Sequence, residues 1–540
     1  MKRRRAAPPP SLDLTVEDLT ALLARLRPTV GADEYQILEA LVETSGYLTA
    51  RLDDQTRTIE DLRQLLGRRT TEKMRRVLTG ARGQTKPPPP GAEPRAAPPP
   101  GHGRNGAAAY PGARQVVVSC GTMHAGDPCP ECGTGKVYLA PPRRLVRIVG
   151  QAPLAATVYA LEKLRCNLCS ERFVADPPAG VGPEKDDARA ASLIALLKYG
   201  NGMPFHRLAA FQDNLEMPLP ASTQWEILAE TAPVLQPAFD ELLAHAAQGA
   251  VLHHDDTSMR VLTRRRAIAD AAPTASARTG IFTSGIVAMR DGHRIALFFT
   301  GRHHAGENLA TILAQRSPTA PAPIQRSAAR ARNIPTLPSG LAVIAANCLA
   351  HGRRQVVQGV TQFPEACAHI LDARGEVYGA DAEAARRARS PEDRLRWHQD
   401  RRGPVLTSLK DWMTAQFSEH RVEPNSSLGK AMRYLLRHWP KLTRFLEVAG
   451  VPIDNNMCER ALKMAIRNRK HASFYTTPHG AEVGDLFMSL IHTCELAGVN
   501  PFAYLTALQQ HADLVATQAS AWMPWNYRDA RLSRASAASE

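Results

Sequence analysis

The stretch that most limits what this chain can fold into is Val251-Leu252-His253-His254-Asp255-Asp256-Thr257, followed by the apolar runs Ile281–Val287 and Arg294–Phe299. Short runs of this kind, bounded by polar residues, read as buried strands. Asp291-Gly292, between the second and third runs, supplies the residues that a tight hairpin turn needs. The pattern predicts an antiparallel core whose first strand is short and carries two adjacent acids at or near its exposed end. A carboxylate in that place is rigidly held and partly shielded, which suits a hard divalent cation. A solvated Asp-Asp turn explains the same residues, and only the rest of the chain separates the two readings.

A chain of 540 residues is too long for a single core, so several domains are expected. No apolar run reaches the roughly 18 residues that span a bilayer. Lys2-Arg3-Arg4-Arg5 is followed by no apolar segment, so no signal peptide is expected and the cytoplasm is the default location. The formal charge of +15 points to a polyanionic partner, with nucleic acid the first candidate.

In chain order, Leu38, Ser45, Leu52, Ile59 and Leu66 fall on one heptad position and Leu41, Leu48, Gln55 and Leu62 on the other. The pattern predicts a coiled coil and self-association; a lone helix packed on its own domain is the alternative. Arg68, Arg69 and Lys73 follow as a cluster able to touch DNA phosphates. Residues 1–85 are thus a helical, basic region, and the Pro/Gly-rich residues 86–115 a linker. Cys129, Cys132, Cys166 and Cys169 form two Cys-x-x-Cys knuckles, predicting one structural, tetrahedral zinc ion in a ribbon-like module over residues 116–176. Two separate redox pairs are the alternative. A zinc-dependent hydrolase fits poorly, because four thiolates leave no open position. Residues 177–247 read as three short helices resembling a helix-turn-helix DNA-binding region, with Pro220-Ala221-Ser222-Thr223 capping the third. Leu341–Ala345 is a further strand candidate, residues 358–446 a helical insertion, and Asp454, Asn455 and Asn456 are residues that start a helix.

Together these pieces resemble the transposases of the insertion sequence 66 family, bacterial enzymes of the DDE type. The resemblance rests on His254-Asp255-Asp256-Thr257, Gly301 through Leu309, Asn347-Cys348-Leu349-Ala350-His351-Gly352-Arg353-Arg354, Asp454-Asn455-Asn456 with Glu459-Arg460, and His479-Gly480-Ala481 through Asn500-Pro501. It implies a multidomain α/β chain. A ribonuclease H-like core (248–475, a mixed sheet with flanking helices and the insertion) follows the coiled coil and zinc module, and a helical region (476–540) closes it. It further implies that the protein binds element terminal inverted repeats and target DNA, and cuts and joins strands with two Mg2+ or Mn2+ ions. Homo-oligomers through the coiled coil and small accessory proteins are the implied partners, with no membrane. The first catalytic, metal-binding acid carried over is Asp255, with Asp256 beside it, and the last is Glu459. His351, Arg353, Arg354, Arg469 and Lys470 are candidate DNA contacts, with surface clusters on their helices as the alternative.

By the same resemblance, the second acid is missing. The family places it between a Pro-Ile-Gln segment and an Arg-Asn pair, and in Pro323 through Asn333 the matching position is Ala328. No Asp or Glu occurs between Glu307 and Glu365. The sequence therefore predicts a transposase severely impaired in catalysis, with a DNA-binding relic, or an inhibitor of an active relative, as the alternative. Rescue by Asp372 would require that residue to stand at the same strand end.

Overall fold

The computed structural model describes residues 185–263 and 280–537 continuously, with residues 16–31, 34–39 and short stretches between 42 and 182. Residues 1–85 and 86–540 form two separate units. In the first, α1 (Val16–Leu26) is described; the heptad positions Leu41 through Leu66 and Arg68, Arg69 and Lys73 lie outside the described residues. Cys132, Cys166 and Cys169 also lie outside them. Around the knuckles, the Cys129 amide donates to the Gly135 carbonyl at 2.7 Å, and β1 (Lys163–Arg165) pairs antiparallel with β2 (Arg172–Val174).

The second unit is built on a five-stranded mixed sheet. Its strands are β3 (Val251–Met259), β4 (Ile281–Arg290), β5 (His293–Gly301), β6 (Ile324–Ser327) and β7 (Ile344–Asn347), in the order β5-β4-β3-β6-β7. The first three run antiparallel; β6 and β7 add parallel on the other side of β3. Asp291 and Gly292 have φ of 49° and 80°, the left-handed pair that closes the predicted hairpin. This order is compatible with the DDE-type core that the resemblance implies.

The expectation of a short first strand is corrected. β3 runs nine residues and pairs with β4 along its whole length, so Asp255 and Asp256 sit mid-strand rather than at its end. The strand that ends near the acids is the parallel neighbour instead, because β6 stops at Ser327, which is buried. β6 itself carries no apolar run legible in the sequence, yet all four of its residues are buried. The Leu341–Ala345 strand is shifted to Ile344–Asn347.

The free edge of β5 is closed by a helix. From α11 (Pro478–Leu496), Thr493, Ser489 and Asp485 stand one turn apart and accept the outward N–H groups of Ala296 (3.1 Å), Phe298 (2.9 Å) and Thr300 (2.5 Å). A row of edge amides otherwise open to another strand is thereby paired inside the molecule. Burial pushes the Asp485 carboxyl up to about 7, against the hydrogen bonds from Thr300, which pull it down.

Upstream of the sheet lie α2 (Ala188–Ala195), α3 (Phe205–Asp213) and α4 (Ala221–Ala247). The expected third short helix is instead 27 residues long and starts at Ala221 with no side-chain cap, so Ser222 and Thr223 lie inside its first turn. Ile194, Leu208, Leu228 and Leu235 share one buried core with Leu252, Ile286 and Leu297. After β5 comes α5 (Ala305–Leu313), and after β7 come α6 (Leu349–Gln358) and three long helices, α7 (Pro364–Arg386), α8 (Pro391–Ser418) and α9 (Ser427–Leu442). α10 (Asn456–Ala472) then returns to the sheet. No helix among the described residues is long and apolar enough to cross a membrane.

Candidate active site

Alternation along β3 sends its adjacent acids to opposite faces, and the two faces give them different surroundings. Asp256 has a fully buried side chain, with His304 Nδ1 2.7 Å from Oδ2 and the Arg332 guanidinium paired to Oδ1 at 2.8 Å. Both partners come from segments that the fold wraps around this face. His304 precedes α5, whose Glu307 accepts the His304 amide at 2.8 Å and whose Asn308 donates to Ser284 on β4. The Gly301–Leu309 motif therefore holds His304 against Asp256, whose second ion-pair partner is Arg332.

Asp255 is buried too, but its surroundings are lighter. Its Oδ1 accepts the Asp256 amide at 2.9 Å and the Asn333 side-chain amide at 3.3 Å. Asn333 is itself pinned, because its carbonyl accepts from His254 Nε2 (2.7 Å) and Gln325 Nε2 (2.8 Å). The same Asn333 amide reaches the Ala328 carbonyl at 3.4 Å. The β3–β6 register pairs Val251, Leu252 and His253 with Ile324, Gln325 and Arg326. Continued by two residues, it sets Ala328 beside Asp255. Position 328 is thus at the site, one strand over from Asp255, and presents a methyl group that is 2% exposed.

Glu459 arrives on the early turns of α10, whose approach depends on two features. Gly285, opposite Asp255 on β4, leaves room for the helix: a Cβ there would meet Leu462 Cδ2 at 2.9 Å. Cys458 fills that space, donating its thiol hydrogen to the Gly285 carbonyl at 3.2 Å, and lies near the charges of both Asp255 and Glu459. The second feature is Asn455. Its side chain does not cap α10, as its position in the sequence suggested; it crosses to β3, accepting from His253 Nδ1 (3.1 Å) and donating to the His254 carbonyl (3.1 Å). Its amide also donates to Cys348 Sγ at 3.1 Å. One buried asparagine therefore ties together the strand of Asp255, the start of α6 and the start of α10. Capping falls to Asp454, which accepts from the Asn456 amide at 3.1 Å.

The remaining residues singled out in the sequence divide clearly. His351 stands on the first turn of α6 with Nδ1 3.6 Å from Glu459 Oε1. Arg353 is half-buried, while Arg354 and Lys470 are exposed. Arg469 is turned inward, donating to Thr257 Oγ1 at 3.0 Å and to the Ser258 carbonyl and hydroxyl, so it braces the end of β3 rather than presenting a free cation. Asp372 is exposed on α7 and not at any strand end. Sequence reasoning missed Asn333, Arg332, His304 and the side-chain role of Asn455; only the Cys-x-x-His spacing of Cys348 and His351 offered a signal for a further donor pair.

A DDE-type site uses divalent metal, with three carboxylates holding a pair of ions. The residues present do not fit that pair. Asp256 is occupied by Arg332 and His304. Position 328 offers a main-chain carbonyl already bonded to Ser327 Oγ (3.1 Å) and Asn333. Asp255 and Glu459 are the carboxylates left.

Comparison with known proteins gives a family match over the region that holds these residues. The family model described as "Transposase IS66 family" matches residues 187–483, more than half of the chain. Three uncharacterized proteins of Sinorhizobium fredii are similar: y4jD is 33% identical over 34% of this chain and 35% of its own length, y4qI 25% over 63% and 62%, and y4hP 24% over 68% and 67%. The matched region thus spans from about a third to two thirds of these relatives. With the family model matching more than half of its residues, this chain belongs to the IS66 family of transposases.

Proposed function

We propose that this protein recognises the DNA ends of an insertion sequence as its family does, but is severely impaired in cutting and joining strands. Asp255 and Glu459 are the surviving carboxylates of the site and Ala328 replaces the one between them. The observation that carries the reading is the shared contact of Asn333 with Asp255 and the Ala328 carbonyl, which puts the substituted residue beside the first acid. Charge neutralisation supplies most of the rate in phosphoryl transfer, and a single charged group there is worth ~10³–10⁵. Losing a metal-binding carboxylate should cost on that order. Arg353, Arg354, Lys470 and the basic cluster Arg68, Arg69 and Lys73 are assigned to the DNA backbone, the four knuckle cysteines to one structural zinc ion, and the heptad run to self-association.

A protein that binds ends without cutting them would also inhibit an active relative by occupying its sites or its oligomers. The test is one reaction with two readouts. The protein is mixed with labelled terminal-repeat DNA and Mg2+ or Mn2+, and both retardation and nicking are followed. Salt-sensitive retardation with little or no nicking supports the proposal; nicking by the natural sequence as fast as by Ala328→Asp, or no retardation at all, overturns it.

A further inference from the structure

We propose that Cys348, His351 and Glu459 form a binding site for one zinc-like transition-metal ion, which would share Glu459 with the carboxylate site discussed above and draw its other two donors from outside it. Their ligand atoms all lie within 4.8 Å of one another. A tetrahedral ion with bonds of about 2.0–2.3 Å places its ligand atoms ~3.3–3.7 Å apart. The 3.6 Å from His351 Nδ1 to Glu459 Oε1 already has that value. His351 Nδ1, the nitrogen nearest Glu459, is moreover a buried atom with no hydrogen-bond partner among the described residues. A side-chain nitrogen left in that state is costly unless something is bound to it.

The three donors are held before any ion arrives. Cys348 precedes the first residue of α6 and His351 is three residues on, so the turn places both on one side. Cys348 Sγ accepts the Asn455 amide at 3.1 Å and the main chain of His351, the pattern of amides around a metal thiolate. Asn455 in turn fixes the start of the helix that carries Glu459. Thiolate and imidazole donors select zinc over magnesium, and three protein donors leave a fourth position open. Binding removes the thiol proton, which otherwise stays on because Cys348 is buried. Arg326 and Arg374 lie close enough to act on the same sulfur, so a thiolate held by arginines without metal is the competing arrangement.

The proposal is independent of DNA chemistry, because metal content is read without DNA. Purified full-length protein is equilibrated with zinc, dialysed against a weak chelator and analysed for metal per chain, beside Cys348→Ser, His351→Gln and Glu459→Gln. Each variant should hold one zinc ion fewer than the natural protein, whereas Cys129→Ser should alter a different ion and leave this one in place. With Co2+ in place of zinc, the difference spectrum between natural protein and Cys348→Ser should show a thiolate-to-cobalt charge-transfer band. His351 is partly exposed, so His351→Gln, with its fold checked by circular dichroism, decides the matter should Cys348→Ser fail to fold. Equal zinc content in the natural protein and a folded His351→Gln, with no cobalt difference band, overturns the site.

Discussion

The two adjacent acids of β3 should respond very differently to loss of charge. Asp256→Asn removes the anion from a side chain that is 0% exposed while leaving Arg332 (32% exposed) and His304 (18% exposed) in place. Breaking a buried pair from one side costs about 3–5 kcal/mol, and the partial exposure of both partners puts this case at the low end, about 3 kcal/mol. Asp255→Asn keeps an oxygen for the Asp256 and Asn333 donors and removes a charge near Glu459, so it should cost under ~1 kcal/mol or stabilise. Hydrogen exchange on peptides of β3, β4 and β5 reads this locally, without treating the two units of the chain as one transition. A loss of about 3 kcal/mol lowers protection by roughly 100-fold, against less than 10-fold for Asp255→Asn. Equal losses, or a larger one for Asp255→Asn, would refute the division of labour between the two carboxylates.

Two further outcomes follow from the same geometry. Burial pulls His253 down to about 4 from its ordinary 6.5, so between those values the unfolded chain binds more protons than the folded one. Stability is then complete above pH 6.5 and falls on acidification toward pH 4, by at most ~1.4 kcal/mol per pH unit for this group; unfolding midpoints of His253→Gln should be flatter across that window, and an unchanged slope would contradict the assignment. Ser489→Ala leaves the Phe298 amide of β5 unpaired in the interior at a cost of about 1–3 kcal/mol, visible as faster exchange confined to β5, and uniform exchange would argue against the edge closure.

What the sequence made legible was what is decided locally. Asp291-Gly292 determines its turn whatever surrounds it, and the apolar runs of β4 and β5 are long enough to declare themselves. β6 is silent because its four buried residues include Gln325 and Arg326, whose place in the interior is set by neighbouring strands. The strand ends also moved, since the pairing of β3 with β4 carries the strand past the acids. Asn455 reads as a helix-start residue until the chain folds, when a partner 202 positions away takes its side chain. Likewise nothing near Asp256 in the sequence announces Arg332, yet that contact is what distinguishes the two acids. Position 328 was found through the order of motifs, and its distance from Asp255 only through the register of β6.

The most direct measurement is strand cutting by Ala328→Asp. Ala328 borders a cavity of about 350 Å³ lined also by Ser327, Arg330, Asn347, Arg437 and Lys441, a lining that includes neither Asp255 nor Glu459. With labelled terminal-repeat DNA and Mn2+, the variant should nick at least ~10³-fold faster than the natural protein, and Ala328→Asn, of similar size but without the charge, should not. Cutting by the natural protein at the rate of Ala328→Asp would contradict the claim that the site lacks its middle acid.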